Sequence, residues 1–495
     1  MPAVVSLWRG PARMHALRNR LGILLVVVLS VSSIAKDCCA EEVPDDVQQQ
    51  DLSRLIGTLR SRDIQKATAA VLEIARRGKD AEAAVPWLLE SLADERKVHT
   101  RTSISDLAAY ALAQIGTPSI APLGKLIAEV DDGKLRDHAL DALSQMEGHG
   151  QPVINALLKV GYHPDEDTRW RIVQMVAHIA DDMEPPSPAA IDFLIKGMHH
   201  EQSGTRFQAT QALLQIAPDP VLFLDEFLQR LHDSDVSVRV ITLRGLGKIG
   251  PAADKCVPEV VRLLDDRTTF TQRFGPIGTV AGEACQTLAE MGDAANGALP
   301  QVRPLLHDDD AYLRCDAALA VVVLSEDREE AINVLILSTD STMYSLGIAR
   351  HAIQALARVG PLAARAMPEV KRALSHEDAL IQGYAVEAAS NIDPAEARPV
   401  LLGMAEDSDS SVRCSVIKAM GKYSAEDPEA FQVVVDGLTD EDFVVRFYSL
   451  ACLKGWGQQA APAIPVLKRL LEENPMHANA KDWRELLREL EGANE

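Results

Sequence analysis

The sequence predicts an all-α protein, an α-solenoid (superhelix) of about 12–13 stacked helix–turn–helix units. Three regularities carry that expectation. An apolar stretch, closing in its plainest copies on Gly, recurs in one register at 78, 116, 147, 180, 217, 250, 292, 325, 360, 393, 424 and 457. The mean spacing of about 34 residues lies in the range of helix-pair repeats. Each copy carries an apolar stripe at helical spacing, and most carry an Asp, or an Asp and an Arg four residues on, ahead of that stripe.

The elements follow in order. Gly250, Gly292 and Gly360 close Leu246–Gly250, Leu288–Gly292 and Leu356–Gly360, where a positive φ lets a helix end. Eight residues later stands a Pro: Pro86, Pro258, Pro300, Pro368 and Pro465. A first helical turn tolerates it because its N–H groups have no intrahelical acceptor. A first helix of about ten residues is expected there, then a turn with Asp, then a second helix. In the second helix, Leu112 and Ile115, Leu143 and Met146, Val176 and Ile179, Leu213 and Ile216, and Leu246 and Ile249 share one face. Beside that stripe the side chain is small: Ala111, Ala142, Ala212, Gly245, Ala320, Ala355, Ala388, Ala419 and Cys452. Such a face is built for neighbouring helices to stack on, not for a cofactor.

The turn holds a ladder. Asp63, Asp132, Asp165, Asp235, Asp310, Asp378, Asp409 and Asp442 share one position, and Arg136, Arg169, Arg206, Arg239, Arg314, Arg413 and Arg446 another. An Asp ahead of a helix caps free N–H groups and complements the dipole. The Arg one turn on is placed to pair with its own Asp or with the next turn. These carboxylates are structural, because each belongs to a different repeat and none converges with another.

Composition bounds the function. The chain has 495 residues, a formal net charge of −22, 47% hydrophobic and only 4% aromatic residues. A sequence-independent nucleic-acid binder needs clustered cations, so DNA and RNA are not expected partners. The repeats predict one elongated domain over 51–475 and a closing helix over 476–495. Residues 36–50 read as an acidic, Gln-rich linker. Residues 1–35 read as a secretory signal, or an uncleaved N-terminal anchor: Arg9, Arg13, Arg18 and Arg20 precede the apolar run from Leu21 to Leu29, and Ala35 and Ala40 are candidate exits. Export is therefore expected, to the periplasm or the medium, with a membrane involved only through that segment. Of seven cysteines, Cys38 and Cys39 lie at the processing region. Cys256, Cys285, Cys315, Cys414 and Cys452 occupy predicted helices and read as small buried apolar residues, with no CxxC or zinc spacing among them.

The Pro-led first helix, the Asp-x-x-Val-Arg turn and the Ala-Leu-x-x-Ile-Gly ending resemble HEAT repeats, most plainly over Asp233–Gly250, and in particular the bacterial phycobilisome-lyase type. The resemblance covers about residues 50–475 and implies an α-solenoid that binds protein; it implies no single reaction.

In such solenoids the second helices line the concave face. Their solvent-side stripe includes Gln174 and His178, Gln211 and Gln215, and Arg244 and Lys248. A ladder of this kind is expected to bind a protein or an extended peptide. In the eighth repeat the same positions are Leu319 and Val323, so that helix is apolar all round and is covered either by a neighbouring segment or by a partner. The seventh repeat has an insertion between its helices, Asp265–Pro276, whose Phe270, Arg273 and Phe274 are candidate interface anchors. Trp170 and Arg171 form a weaker cluster. No nucleophile elbow, phosphate loop or metalloprotease motif occurs. His200-Glu201 and His376-Glu377 are similar to the dyads of deoxyhypusine hydroxylase, an iron enzyme on HEAT repeats, but lie about five repeats apart, too far to share a metal. The expected protein is a scaffold with no cofactor and no metal. The alternative is an enzyme or enzyme accessory, chromophore-lyase-like, cradling a small ligand.

Overall fold

The computed structural model describes residue 47 and residues 51–492, apart from 100, 101, 147, 272–276, 424 and 474–478. The expected signal and most of the linker therefore lie outside the described residues, as do Cys38, Cys39, Arg273 and Phe274. No described helix is long and apolar enough to cross a membrane.

The chain divides between Leu222 and Phe223 into two compact units. In the first, the helices in chain order are α1 (Leu52–Leu59), α2 (Ile64–Arg77), α3 (Val85–Ser91), α4 (Ile104–Ile115), α5 (Thr117–Glu129), α6 (Gly133–Ser144), α7 (Gly150–Val160), α8 (Glu166–Asp181), α9 (Pro188–Met198) and α10 (Ser203–Ile216). The even-numbered helices are second helices; α2 packs on α4, α4 on α6, α6 on α8 and α8 on α10. They form one layer, with the first helices behind.

The second unit repeats the plan with α11 (Leu224–Arg230), α12 (Val236–Ile249), α13 (Val257–Arg262), α14 (Val280–Met291), α15 (Leu299–Val302), α16 (Ala311–Leu324), α17 (Glu329–Ser338), α18 (Leu346–Val359) and α19 (Met367–Ala373). It continues with α20 (Ala379–Ile392), α21 (Pro394–Gly403), α22 (Ser410–Met420), α23 (Pro428–Asp436), α24 (Phe443–Trp456) and α25 (Ile464–Glu473). The expected closing helix is α26, Ala480–Gly492. From α12 to α24 each second helix packs on the next. Both units are thus stacks of helix pairs, the architecture of an α-solenoid.

The cores lie where the stripe and the small residues meet. Leu112, Leu143, Val176, Leu213 and Leu246 are buried, and so are Ala111, Ala142, Ala212, Ala320, Ala355, Ala388 and Ala419. Each buried Leu contributes about 2 kcal/mol, and the small side chains let the helix axes approach.

Each Asp of the ladder caps its helix. The side chains of Asp63, Asp132, Asp165 and Asp235 accept from backbone N–H groups of the first turn, as do those of Asp310, Asp378, Asp409 and Asp442. The closing glycines have positive φ, for example 70° at Gly250. Their ψ lies near −130 to −140° rather than in the left-handed helical well, and the chain turns straight into a 3-10 segment. Five such segments, 78–84, 250–256, 292–298, 360–366 and 457–463, lie between a closing Gly and the Pro. After the first four of these, the first helices α3, α13, α15 and α19 are shorter than ten residues and Pro86, Pro258, Pro300 and Pro368 take the second helical position, whereas α25, after 457–463, has ten.

The seventh-repeat insertion is a hairpin rather than a loop. Thr269–Thr271 pairs antiparallel with Ile277–Thr279, Phe270 opposite Gly278. A second hairpin, Lys97–His99 with Thr102–Ser103, stands at the same place in the second repeat. Both are rooted identically: Ser105 N–H donates to Asp94 O and Ala281 N–H to Asp266 O, each at 2.9 Å. Ser103 and Thr279 replace Asp as the cap.

Candidate functional site

The arginine ladder does not pair with its own Asp. Each Arg reaches back to the two carbonyls that precede its cap. Arg136 Nη1 donates to Val130 O and Asp131 O, both at 3.0 Å. Arg169 does so to His163 O and Pro164 O, Arg206 to His200 O and Glu201 O, and Arg239 to Asp233 O and Ser234 O. Arg314, Arg413 and Arg446 repeat the pattern. The other guanidinium edge often points forward. Arg136 reaches Thr168 (3.0 Å), Arg169 reaches Thr205 and Gln202, and Arg239 reaches Asp266 (3.0 Å). Arg413 grips Asp440 with two bonds of 2.8 Å, and Arg446 reaches Asn479. The first repeat has Ala67 in place of the Arg, and its carbonyl of Ser61 accepts instead from Arg96 of the second (2.8 Å). The ladder is a relay that fixes one turn against the next.

The two His-Glu dyads belong to these turns. Nδ1 of His163, His200 and His376 accepts from the N–H of Asp165, Gln202 and Asp378 at 3.1, 3.2 and 2.9 Å. In other repeats an Asp carboxylate takes that place, as Asp233 does for Asp235 and Asp440 for Asp442. No group of three or more His, Cys, Asp or Glu is gathered to hold a metal among the described residues.

The second-helix stripe is largely occupied by pairs between repeats. Arg171 bonds Asp137 (2.7 Å) and Asp141 (2.5 Å) on the preceding second helix. Trp170 beside it is exposed. His178 lies 3.9 Å from Asp182, and Gln215 donates to Asp181 at 3.2 Å. Gln174 is half-buried, while Gln211 is exposed. In the second unit Arg244 holds Glu283 through two bonds of 3.0 and 2.9 Å. Phe270 of the hairpin is half-buried, and the Arg244 guanidinium lies 5.5 Å from its ring centre. The Phe270 ring therefore lies beside the Arg244–Glu283 pair. Lys248 remains exposed.

The apolar eighth-repeat helix, α16, is covered from within. Leu319 is 2% exposed, so its reading as a partner surface is corrected; Val323 is half-buried. Helices α14 and α18 flank α16. Arg358 of α18 reaches Glu290 (2.6 Å) and Gln286 (2.5 Å) of α14, two repeats back, at the register where α16 carries Val323. A short aliphatic residue between two long polar ones lets them meet. Beneath that bridge lies a buried group the sequence reading missed. Asp316 Oδ1 accepts from Gln286 Nε2 (2.8 Å) and lies 2.8 Å from His351 Nε2, with the Tyr312 ring edge-on to His351. The only signal for it was an Asp inside an otherwise apolar helix.

These histidines respond to pH in opposite senses. Burial lowers the His351 pKa, but the Asp316 charge and hydrogen bond outweigh it and the net shift is upward. Its stabilisation is complete below the unfolded value of about 6.5 and is lost as pH rises through the higher folded one. Burial and neighbouring Arg charges lower His163 and His200. Their contribution is present above about pH 6.5 and is lost as pH falls toward the folded values. Histidine NMR titration is expected to place His351 above, and His163 and His200 below, the free value. His351→Gln should flatten the alkaline limb of urea stability; an unaltered limb would remove the Asp316 pair as its origin.

None of the described cysteines is in a disulfide. Burial raises Cys256 to about 11 and Cys315 and Cys452 to about 12, and holds Cys285 well above the ordinary value, so these thiols stay protonated. A shallow pocket of ≈ 440 Å³ opens on the first-helix layer, lined by Leu299, Pro300, Arg303, Pro304, His307 and Glu330.

Residues 344–413 and 367–454 match the family model of HEAT repeats, so that stretch consists of HEAT repeats. No curated protein matches the chain. Among solved structures, the chain is similar to an engineered protein at 20% identity, over 70% of this chain and 99% of that one, with a TM-score of 0.33. Yeast importin-β (Kap95p) is 12% identical over 90% of this chain and 69% of its own, with a TM-score of 0.49. The CpcE–CpcF complex of phycocyanin lyase from Nostoc is 19% identical over 54% and 94%, with a TM-score of 0.34.

Proposed function

We propose that the chain is an exported scaffold that holds another protein against its second-helix layer. The observation that carries the reading is the layer itself. Within each unit the second helices lie side by side, and their polar stripe is set in place by pairs such as Arg171–Asp141, Arg244–Glu283 and Arg358–Glu290. Side chains already ordered lose less freedom when a partner docks, which favours binding. The exposed members, Gln211 in the first unit and Lys248, Glu290, Glu387 and Lys422 in the second, are the contact candidates. The pocket on the first-helix layer is open and lined by a His–Glu–Arg cluster, and that position favours the scaffold over a cradle for a pigment. Export rests on the basic and apolar order of residues 9–35.

Affinity capture from the native envelope fraction tests the scaffold. Lys248→Glu with Glu387→Lys should reduce recovery of a stoichiometric partner at least about tenfold, roughly 1.4 kcal/mol. Arg469→Glu, on an exposed first-helix position, should leave it unchanged. Recovery of a pigment or metal in place of a protein would overturn the reading. The intact mass of the mature protein tests export: removal of residues through 35 or 40 is expected, and a full-length mass contradicts cleavage.

A further inference from the structure

The twelfth repeat and the end of the eleventh gather aromatic side chains in a chain that is 4% aromatic: Tyr423, Phe431, Phe443, Phe447, Tyr448 and Trp456. Phe431 stacks on Trp456, whose indole N–H donates to Tyr423 O at 3.2 Å. Phe443 and Phe447 are not enclosed in this way. They stand one turn apart on α24, 59% and 38% exposed, with ring centres 6.4 Å apart. Phe447 meets Tyr448 edge-on at 5.3 Å. Five residues past the cap Asp, where Phe447 stands, the sixth, eighth and eleventh repeats carry Val240, Cys315 and Cys414, all buried; Cys414 packs on Val445 of the following second helix. Phe443 and Phe447 stay exposed although α25 and α26 follow α24 in the stack.

A cation accompanies them. Lys418 Nζ, one repeat earlier, lies 3.9 Å from the centre of the Tyr448 ring. Other cations of this layer meet oxygen: Arg244 meets Glu283, Arg358 meets Glu290, and Lys422 meets Asn391 Oδ1 at 2.7 Å. Among the described residues Lys418 has a π face and no carboxylate partner. Arg446 adds a second positive group 5.9 Å from the Phe443 ring.

We infer that the strip Lys418–Tyr448–Phe447–Phe443 docks an acidic segment of a partner protein in which carboxylates alternate with aliphatic or aromatic side chains. The rings take the apolar side chains, and the Lys418 ammonium gains a charge-assisted bond it lacks in the free protein. The surrounding surface supplies the specificity. With a net charge of −22 the chain repels such a segment elsewhere, so its carboxylate is accepted at Lys418, while the Phe443 end, which follows Glu441 and Asp442, takes only the apolar side chains. This rests on the scaffold reading and narrows it to one place and one partner chemistry.

The test uses the full chain and a fluorescein-labelled ten-residue peptide alternating Glu with Leu and Phe, against the same peptide with Lys for Glu. Anisotropy should show the Glu peptide bound at least about tenfold more tightly, and more weakly as salt rises. Phe447→Ala and Lys418→Glu should each reduce that binding at least about tenfold without moving the urea midpoint. Preference for the Lys peptide, or indifference to both substitutions, overturns the inference. So does a sedimentation mass that falls from dimer to monomer in Phe447→Ala, which would make a second copy the occupant. Loss of envelope-partner capture in Lys248→Glu/Glu387→Lys, with no binding of the Glu peptide, leaves the scaffold standing and removes this strip.

Discussion

Replacing Arg413 with Ala should lower the unfolding stability of the second unit by about 3 kcal/mol. The guanidinium is 10% exposed and Asp440 13%. It makes two bonds of 2.8 Å to that carboxylate and two more to Asp407 O and Ser408 O. The Arg413 hydrogen bonds hold the Asp440 pKa below the usual carboxylate range. Removing the cation strands an anion and two carbonyls in a largely dry turn, which is why the loss exceeds that of a surface pair. Urea unfolding of Arg413→Ala, Asp440→Asn and the double variant measures the coupling. The double variant should recover part of the loss. Lys66→Ala, which removes an exposed 3.7 Å contact with Asp63, should cost under about 0.5 kcal/mol. Equal effects for Arg413 and Lys66 would mean that the relay between turns is ornamental.

The second large effect is backbone strain at a closing glycine. Gly250 has φ 70° and ψ −140°, a region that L side chains rarely enter. A Cβ there would meet nothing closer than Glu290 O at 3.5 Å, so the cost is conformational rather than steric. Gly250→Ala should destabilise by about 2 kcal/mol. Gly57 lies within α1 with open space around its Cβ, and its replacement by Ala should stabilise by about 0.5–1 kcal/mol. Opposite signs for two chemically identical changes, read by thermal unfolding, would separate strain from packing.

What the sequence made legible was local. A cap Asp bonds N–H groups two or three residues ahead, and a closing Gly determines its own φ, so both can be read from position alone. The Pro and the small residues follow from the same short-range geometry. The partners of the ladder Arg were harder to read, because Arg136, Arg169, Arg413 and Arg446 also bond groups about 27 to 36 residues forward. The covering of Leu319 was illegible for a similar reason: the side chain that bridges past it, Arg358, belongs to the next repeat and its partner Glu290 to the previous one. The second-repeat hairpin left little signal, since strands as short as Lys97–His99 and Thr102–Ser103 carry no period. The insertion that carries Phe270 is plain in the sequence, but the position of its ring beside Arg244 depends on the pairing of Thr269–Thr271 with Ile277–Thr279.

The face that a partner touches is the most direct test of the scaffold. A photo-crosslinking amino acid placed in turn at Lys248, Lys422, Arg262 and Arg469, followed by irradiation with the captured partner and mass mapping, reads this face by face. Crosslinks from Lys248 and Lys422 on the second-helix layer, with none from Arg262 and Arg469 on the first-helix layer, are the predicted result. Crosslinks confined to Arg262 and Arg469 would contradict it.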